Sequence, residues 1–276
     1  MVYSAFKYLD VENLGDYVYR VSLNRPDKYN ALNFEFWREI GLVFKQFDED
    51  ENCRVVILEG NGKHFCAGLD LMAASQIGAS DDDDGARKAR KLLREIQRMQ
   101  QDFTNVQKCL KPVLVGMHGF SLGAAIDLAS ACDVRYATRD AVLSVKEVDI
   151  GMAADIGSLN RLPKIVGNMS WIKEISMTAR HFSADEAKEY GLVSKVFETR
   201  DEMRQGLLEL AKLLATKSPV AVQGTKGVLN YSMDHSIEDS LNYVATWNMS
   251  QLATDDVQLS ALASLTKQPL PPFSKL

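Results

Sequence analysis

The spacing of apolar residues along the first part of the chain alternates between strand and helix signals. Tyr17–Asn24 places Tyr17, Tyr19, Val21 and Leu23 at every second position and predicts a half-buried strand. Phe34–Phe47 follows at helical spacing, with Phe36, Ile40, Val43 and Phe47 along one side. Arg54–Glu59 and Pro112–Met117 are β-branched runs of the kind that form buried strands. Between them Arg87–Lys108 is a long helical pattern, preceded by the acidic run Asp81–Asp84. Ala124–Ala131 reads as an apolar helix, and Val134–Ala137 and Ala141–Val145 as short strands. From about Pro163 the strand signals nearly vanish. Ser183-Ala-Asp-Glu186 is a capping box opening a short helix that Gly191 terminates. Asp201–Thr216, Val220–Tyr231, Ile237–Leu252 and Asp255–Leu265 then read as helices. The pattern predicts an α/β body over residues 1–195 and a helical region over 196–276, the latter suited to packing on a neighbouring subunit.

Composition narrows the class. At 276 residues the chain holds one to two domains of about 150 residues. Hydrophobic residues at 46% and charged residues at 25% exclude a largely disordered protein. No stretch reaches the roughly 18 uninterrupted apolar residues that a membrane span needs. Met1–Asp10 carries charge and no apolar core, so no secretory signal is expected. A net charge of −5 argues against a general nucleic-acid binder. Cys53, Cys66, Cys109 and Cys132 are scattered, so neither a zinc site nor a disulfide framework is expected. His64, His118, His181 and His235 fit no metal or nucleophile motif, which leaves the chemistry to carboxylates.

Two glycine-bearing turns and three acids are the candidates. Gly60-Asn-Gly-Lys-His-Phe-Cys-Ala-Gly68 contains a G-x-G-K fragment but lacks the spacing and the hydroxyl residue of a phosphate loop. Gly116-Met-His-Gly-Phe-Ser-Leu-Gly-Ala124 leads into the apolar helix. In each, a strand end delivers small residues just before a helix, where backbone N–H groups are free. Either these are plain structural turns, or the amides of Ala67 and Ala124 converge on one oxygen as an oxyanion hole. Asp127 stands in an otherwise apolar helical run, where acids are rare unless paired or functional. Its bland reading is a pair with Arg135 or Arg161. Asp155 sits among alanines, isoleucine and glycines, and its bland reading is the cap of a helix starting near Ile156. Glu147 follows the strand Ala141–Val145; Asp133 and Asp149 are weaker candidates. Arg87, Lys88, Arg90, Lys91, Arg94 and Arg98 give one helix a basic side, either a solvated face or a hold on a polyanion. The chain ends Ser274-Lys275-Leu276, a tripeptide read by the peroxisomal import receptor, which predicts a peroxisomal matrix location.

Taken in order, the segments carry a resemblance. Leu23-Asn-Arg-Pro26, Asn30-Ala-Leu32, His64-Phe-Cys-Ala-Gly-Leu-Asp70, Lys111-Pro-Val113, Gly119-Phe-Ser-Leu-Gly-Ala-Ala-Ile-Asp127 and Ala131-Cys-Asp133 come first. Glu147…Gly151, Arg161-Leu-Pro163, Ala184-Asp-Glu-Ala187 and Gly191-Leu-Val193 follow. Over roughly residues 10 to 265 they resemble the enoyl-CoA hydratase/isomerase (crotonase) superfamily. The resemblance implies an α/β spiral of repeated β-β-α units with a helical C-terminal region, and trimers that pair into hexamers. It implies an acyl-CoA thioester as substrate, with coenzyme A part of that substrate and no separate cofactor or metal. The oxyanion-hole amides fall on Ala67 and Ala124, and Ala67, Gly68, Leu69 and Asp70 border the CoA moiety.

The acids divide the superfamily. Its hydratases place glutamates at positions 127 and 147 and a glycine at 155, whereas this chain has Asp127, Glu147 and Asp155. That pattern resembles the Δ3,5-Δ2,4-dienoyl-CoA isomerase branch. It implies proton transfer between C2 and C6 in fatty-acid β-oxidation by Glu147 and Asp155, with Glu147 at C2 and Asp155 at C6 or the reverse, and Asp127 tuning the pair. The family commonly has three glycines where this chain has Gly123-Ala124-Ala125, and a Cβ restricts the backbone there. The rival readings are a 2-enoyl-CoA hydratase and a catalytically silent CoA-ester-binding homologue.

Overall fold

A computed structural model describes residues 3, 5–74 and 84–276. In chain order the strands are β1 (Leu9–Asn13), β2 (Val18–Leu23), β3 (Val55–Gly60), β4 (Val113–Met117), β5 (Phe120–Leu122), β6 (Val134–Thr138), β7 (Val142–Ser144), β8 (Phe182–Ser183) and β9 (Lys195–Phe197). The helices of the first half are α1 (Phe34–Glu49), α2 (Leu71–Ala74), α3 (Gly85–Lys108) and α4 (Ala124–Ser130). Those of the second half are α5 (Ser158–Ile165), α6 (Met169–Thr178), α7 (Ala184–Glu189), α8 (Arg200–Ala215), α9 (Pro219–Ser232), α10 (Ile237–Gln251) and α11 (Asp255–Leu265).

The strands build two sheets. The larger runs β1-β2-β3-β4-β6-β9, and every pairing in it is parallel except the β1–β2 hairpin. The smaller runs β5-β7-β8. Leaving β4, the chain turns through His118 and Gly119 into β5 of the other sheet, then enters α4. That sequence of strand, strand and helix is one β-β-α unit. β6 and β7 repeat the strand pair, with the 3-10 turn Glu147–Ile150 in place of the helix. The expected spiral is therefore the observed one.

β3 and β4 are buried along their whole length, as parallel strands covered on both faces must be. One core lies between the sheets and α1 and α3, where Trp37 and Phe103 stack with centroids 4.4 Å apart. A second lies under α8, which presses Met203, Leu207 and Ala211 onto the other face. Asn33 caps α1 by accepting from Phe36 N at 2.8 Å. Ser183 likewise caps α7, but Glu186 does not close the predicted box; its carboxylate pairs with Arg180 at 2.6 Å. Of the acidic run, Asp84 caps α3 and residues 81–83 lie outside the described residues.

Past α8 the apolar surface changes sides. α10 buries none of its residues, while Leu229, Ile237, Leu241, Met249 and Leu265 of the last three helices are exposed. The final residues lie back on the body. Phe273 is buried, Arg54 donates to its carbonyl at 2.6 Å, and Lys111 donates to the Leu276 carbonyl at 3.3 Å. Among the described residues no helix is long and apolar enough to cross a membrane.

Candidate active site

Strand edges first bring two amides to one cavity. Leu32 and Leu69 form a parallel bridge: Leu32 N donates to Gly68 O at 2.8 Å and Asp70 N to Leu32 O at 3.0 Å. In a parallel bridge the central residue's own N–H points to the opposite side. That N–H, on Leu69, has no partner among the described residues, nor has the N–H of Ala124 at the start of α4. Cys66 bridges Ser121, which draws the two turns together. A Cβ on Gly68 would lie 2.6 Å from Leu122 O and 3.6 Å from Ala124 N, so only glycine permits this approach.

One expected donor is corrected by this geometry. Ala67 N donates to Tyr29 O at 2.9 Å, so its amide is committed inside the fold. Leu69, two residues on, carries the free N–H that faces the cavity beside Ala124. The alanines at 124 and 125 are no obstacle, because both lie within the regular helix α4. The one glycine needed is Gly123, at φ +54°, where a Cβ would stand 3.2 Å from Glu147 Oε1.

The cavity these turns border holds about 260 Å³ and is walled by Trp37, Ala67, Gly68, Leu69, Gly123, Ala124, Lys146, Ile150, Met152 and Ile156. Asp127, Glu147 and Asp155 all reach it. Asp127, on α4, is 1% exposed, and its Oδ1 accepts from Ser158 N at 2.6 Å. It therefore caps α5 from outside, and the pairings with Arg135 or Arg161 do not form. Arg135 instead donates to the carbonyls of Cys132 and Leu192 at 2.6 and 2.8 Å. The cap reading of Asp155 also fails, since α5 begins at Ser158 behind Gly157 with no side-chain cap of its own. Glu147 opens the 3-10 turn, and its Oε2 is buried without a hydrogen-bond partner among the described residues.

Burial sets the acidity of all three. It pushes Glu147 up to about 7, with the Asp127 and Asp155 carboxylates adding to the rise. It pushes Asp127 up to about 6 against the pull of the Ser158 amide and Arg161. Asp155 is raised by burial and partly held back by its own N–H. Acids crowded into an apolar cavity in this way are a mark of functional sites. At the rim Lys146 pairs with Asp149 at 2.5 Å.

Other expected residues do structural work. Asp70 does not line the cavity; it pairs with Arg25 at 2.6 Å, which lowers its pKa, and accepts from Met72 N at 3.0 Å. Asp133 ties the start of β4 to α9 through Val113 N at 2.7 Å and Lys226 at 2.6 Å. Arg87, Arg90, Lys91, Arg94 and Arg98 are exposed on α3, with Arg87 paired to Asp84. Trp37 lines the cavity, while Gln100 and Arg161 contact its loop, and none of the three carries a sequence signal for that role.

Fold and site together define the class: the chain belongs to the enoyl-CoA hydratase/isomerase family, which it matches over residues 14–271. Among curated relatives it is 47% identical over 264 residues to the mitochondrial Δ3,5-Δ2,4-dienoyl-CoA isomerase of Mus musculus, covering 95% of this chain and 81% of that one. It is 41% identical over 280 residues to the peroxisomal Δ3,5-Δ2,4-dienoyl-CoA isomerase of Arabidopsis thaliana, covering 100% of both. Among solved structures, an enoyl-CoA hydratase from Bacillus anthracis is similar with a TM-score of 0.85 at 28% identity, over 96% of this chain and 98% of that one.

Proposed function

We propose that the chain converts 3,5-dienoyl-CoA to 2,4-dienoyl-CoA. The observation that carries this reading is one cavity bordered by two unpartnered N–H groups and reached by Asp127, Glu147 and Asp155. The two acids share one proton; in the tautomer that places it on Asp155, ionised Glu147 takes the proton from C2, and the electron pair moves onto the thioester oxygen. The Leu69 and Ala124 amides hold that oxygen; one such donor is worth about 2.7–4 kcal/mol. The dienolate charge spreads to C6, where Asp155, protonated, returns a proton. Asp127 raises the Glu147 pKa through its charge and anchors the loop toward Asp155. The cycle closes when a proton passes from Glu147 back to Asp155, directly or through solvent. Only protons move, so the reaction as written calls for no metal or redox cofactor, and coenzyme A belongs to the substrate.

Asp155 separates this reading from the hydratase. A hydratase adds water across C2 and C3 and has no use for an acid further along the pocket. Supplying a 3,5-dienoyl-CoA and following the absorbance of the 2,4-conjugated product tests the proposal. Formation of 3-hydroxyacyl-CoA from a 2-enoyl-CoA, with no dienoyl conversion, assigns the hydratase instead. CoA-ester binding without any turnover assigns the silent homologue.

The exposed leucines and Ile237 on α9–α11 fit burial between subunits of a trimer or a pair of trimers. Light scattering is expected to give three or six chains per particle, and a monomer overturns it. Ser274-Lys275-Leu276 and the peroxisomal name of the Arabidopsis relative support a peroxisomal matrix location. The mouse relative is named mitochondrial. Removing the tripeptide from a fluorescent fusion is expected to leave it in the cytosol, and unchanged organelle targeting refutes the address.

A further inference from the structure

We propose that Gln100 and Arg161 are positioning residues for Asp155, holding the two consecutive carbonyls that aim its carboxyl into the cavity. The inference rests on the isomerase reading above. Gln100 lies on α3, and its Nε2 donates to the main-chain oxygen of Asp155 at 2.6 Å. Arg161 lies on α5 and donates through Nη1 to the next carbonyl, Ile156 O, at 3.3 Å. The same guanidinium reaches back to α3, to Gln107 Oε1 at 2.8 Å and Thr104 Oγ1 at 3.3 Å. So α3 grips the loop at residue 155 directly and at residue 156 through Arg161.

The backbone is shaped for this grip. Gly157 has φ +148°, and a Cβ there would stand 1.7 Å from Arg161 Nη1. Glycine alone lets the guanidinium lie against the chain. At residue 158 the amide is taken by Asp127. Each of these backbone groups is thus fixed by a side chain from outside the loop. Asp155 needs such support, because no strand or helix runs through residues 151–157 and its side chain has no other residue as hydrogen-bond partner among those described. Arg161 is itself mostly buried and, among the described residues, bonds to the neutral acceptors Gln107, Ile156 and Thr104, so its charge is left to act on Asp127 nearby.

Misplacing a proton donor by about 1 Å from a site remote from the chemistry lowers turnover by up to about 10²-fold. Gln100→Met keeps the length and volume of the side chain and removes the N–H donor. In this variant we expect turnover of 3,5-dienoyl-CoA to fall by about 10–10²-fold while KM and Tm stay near wild type. Exchange of the C2 hydrogen with deuterated water is expected to persist, because Glu147 sits on a different segment. Added to Asp155→Asn, Gln100→Met is expected to lower the residual rate no further, since both act through one carboxyl. A merely structural residue would instead give additive losses and would suppress exchange together with turnover; either result overturns the proposal, as does wild-type turnover in Gln100→Met. Arg161→Lys keeps the charge but not the fork, and is expected to show the same split between exchange and turnover. Should that variant fail to fold, the Gln100 cycle decides alone. A wild-type protein that leaves 3,5-dienoyl-CoA unchanged overturns the isomerase reading instead, which keeps the two failures distinct.

Discussion

Asp155→Asn is expected to abolish conversion of 3,5-dienoyl-CoA while leaving CoA-ester affinity within a few-fold of wild type. The substitution keeps the shape of the side chain and the carbonyl that Gln100 holds, and replaces the titratable carboxyl with an amide that cannot act as a general acid. A general acid of this kind contributes about 10²–10⁴-fold. Proton removal at C2 belongs to Glu147, so the variant is expected to go on exchanging the C2 hydrogen with solvent deuterium. Steady-state turnover, calorimetric titration with a CoA ester and mass spectrometry of recovered substrate read the three effects separately. Unchanged turnover would remove Asp155 from the mechanism.

Glu147→Gln is expected to lose both reactions, since the dienolate cannot form without a base at C2. A loss of about 10²–10⁴-fold again follows from the size of general base catalysis, and persistent C2 exchange would point to another base. The same variant carries a stability signature with a definite sign. Burial raises the Glu147 pKa from 4.5 to about 7. A raised carboxyl contributes its stability in full below about pH 4.5, and that contribution is lost as pH rises through about 7. Glutamine behaves as the neutral acid at every pH. Glu147→Gln is therefore expected to be the more stable protein at pH 8, by on the order of 2 kcal/mol, with the difference shrinking toward pH 4. Melting curves at the two pH values check this. A variant less stable than wild type at pH 8 would mean that the ionised carboxylate is not held against a desolvation penalty. An acid that weakens the fold in order to act is the usual conflict between stability and catalysis.

The reach of the sequence differs from element to element. Strands β2, β3 and β4 were legible because their apolar residues follow the sheet pattern, and α1 because its apolar face recurs at helical spacing. β1 was not, since it is an edge strand with only Leu9 buried. α5 hides behind Gly157 and carries Pro163 inside it, a residue that normally breaks the pattern. β5 is hidden inside a glycine turn, because three residues between two glycines give no period to follow.

By itself the sequence determined the order of alternating elements, the helical tail and three acids set among apolar neighbours, because these depend on spacing and composition along one chain. Only the tertiary structure decided which amide is free. The sequence points to Ala67, yet a bond to Tyr29 commits that amide, and a bridge to Leu32 turns the N–H of Leu69, two residues on, toward Ala124. It also decided that Asp127 caps α5 instead of pairing with an arginine, and that α3 reaches the loop of Asp155. Hydrogen bonds between segments tens of residues apart leave no period in a sequence. They exist only once packing has brought the partners within about 3 Å.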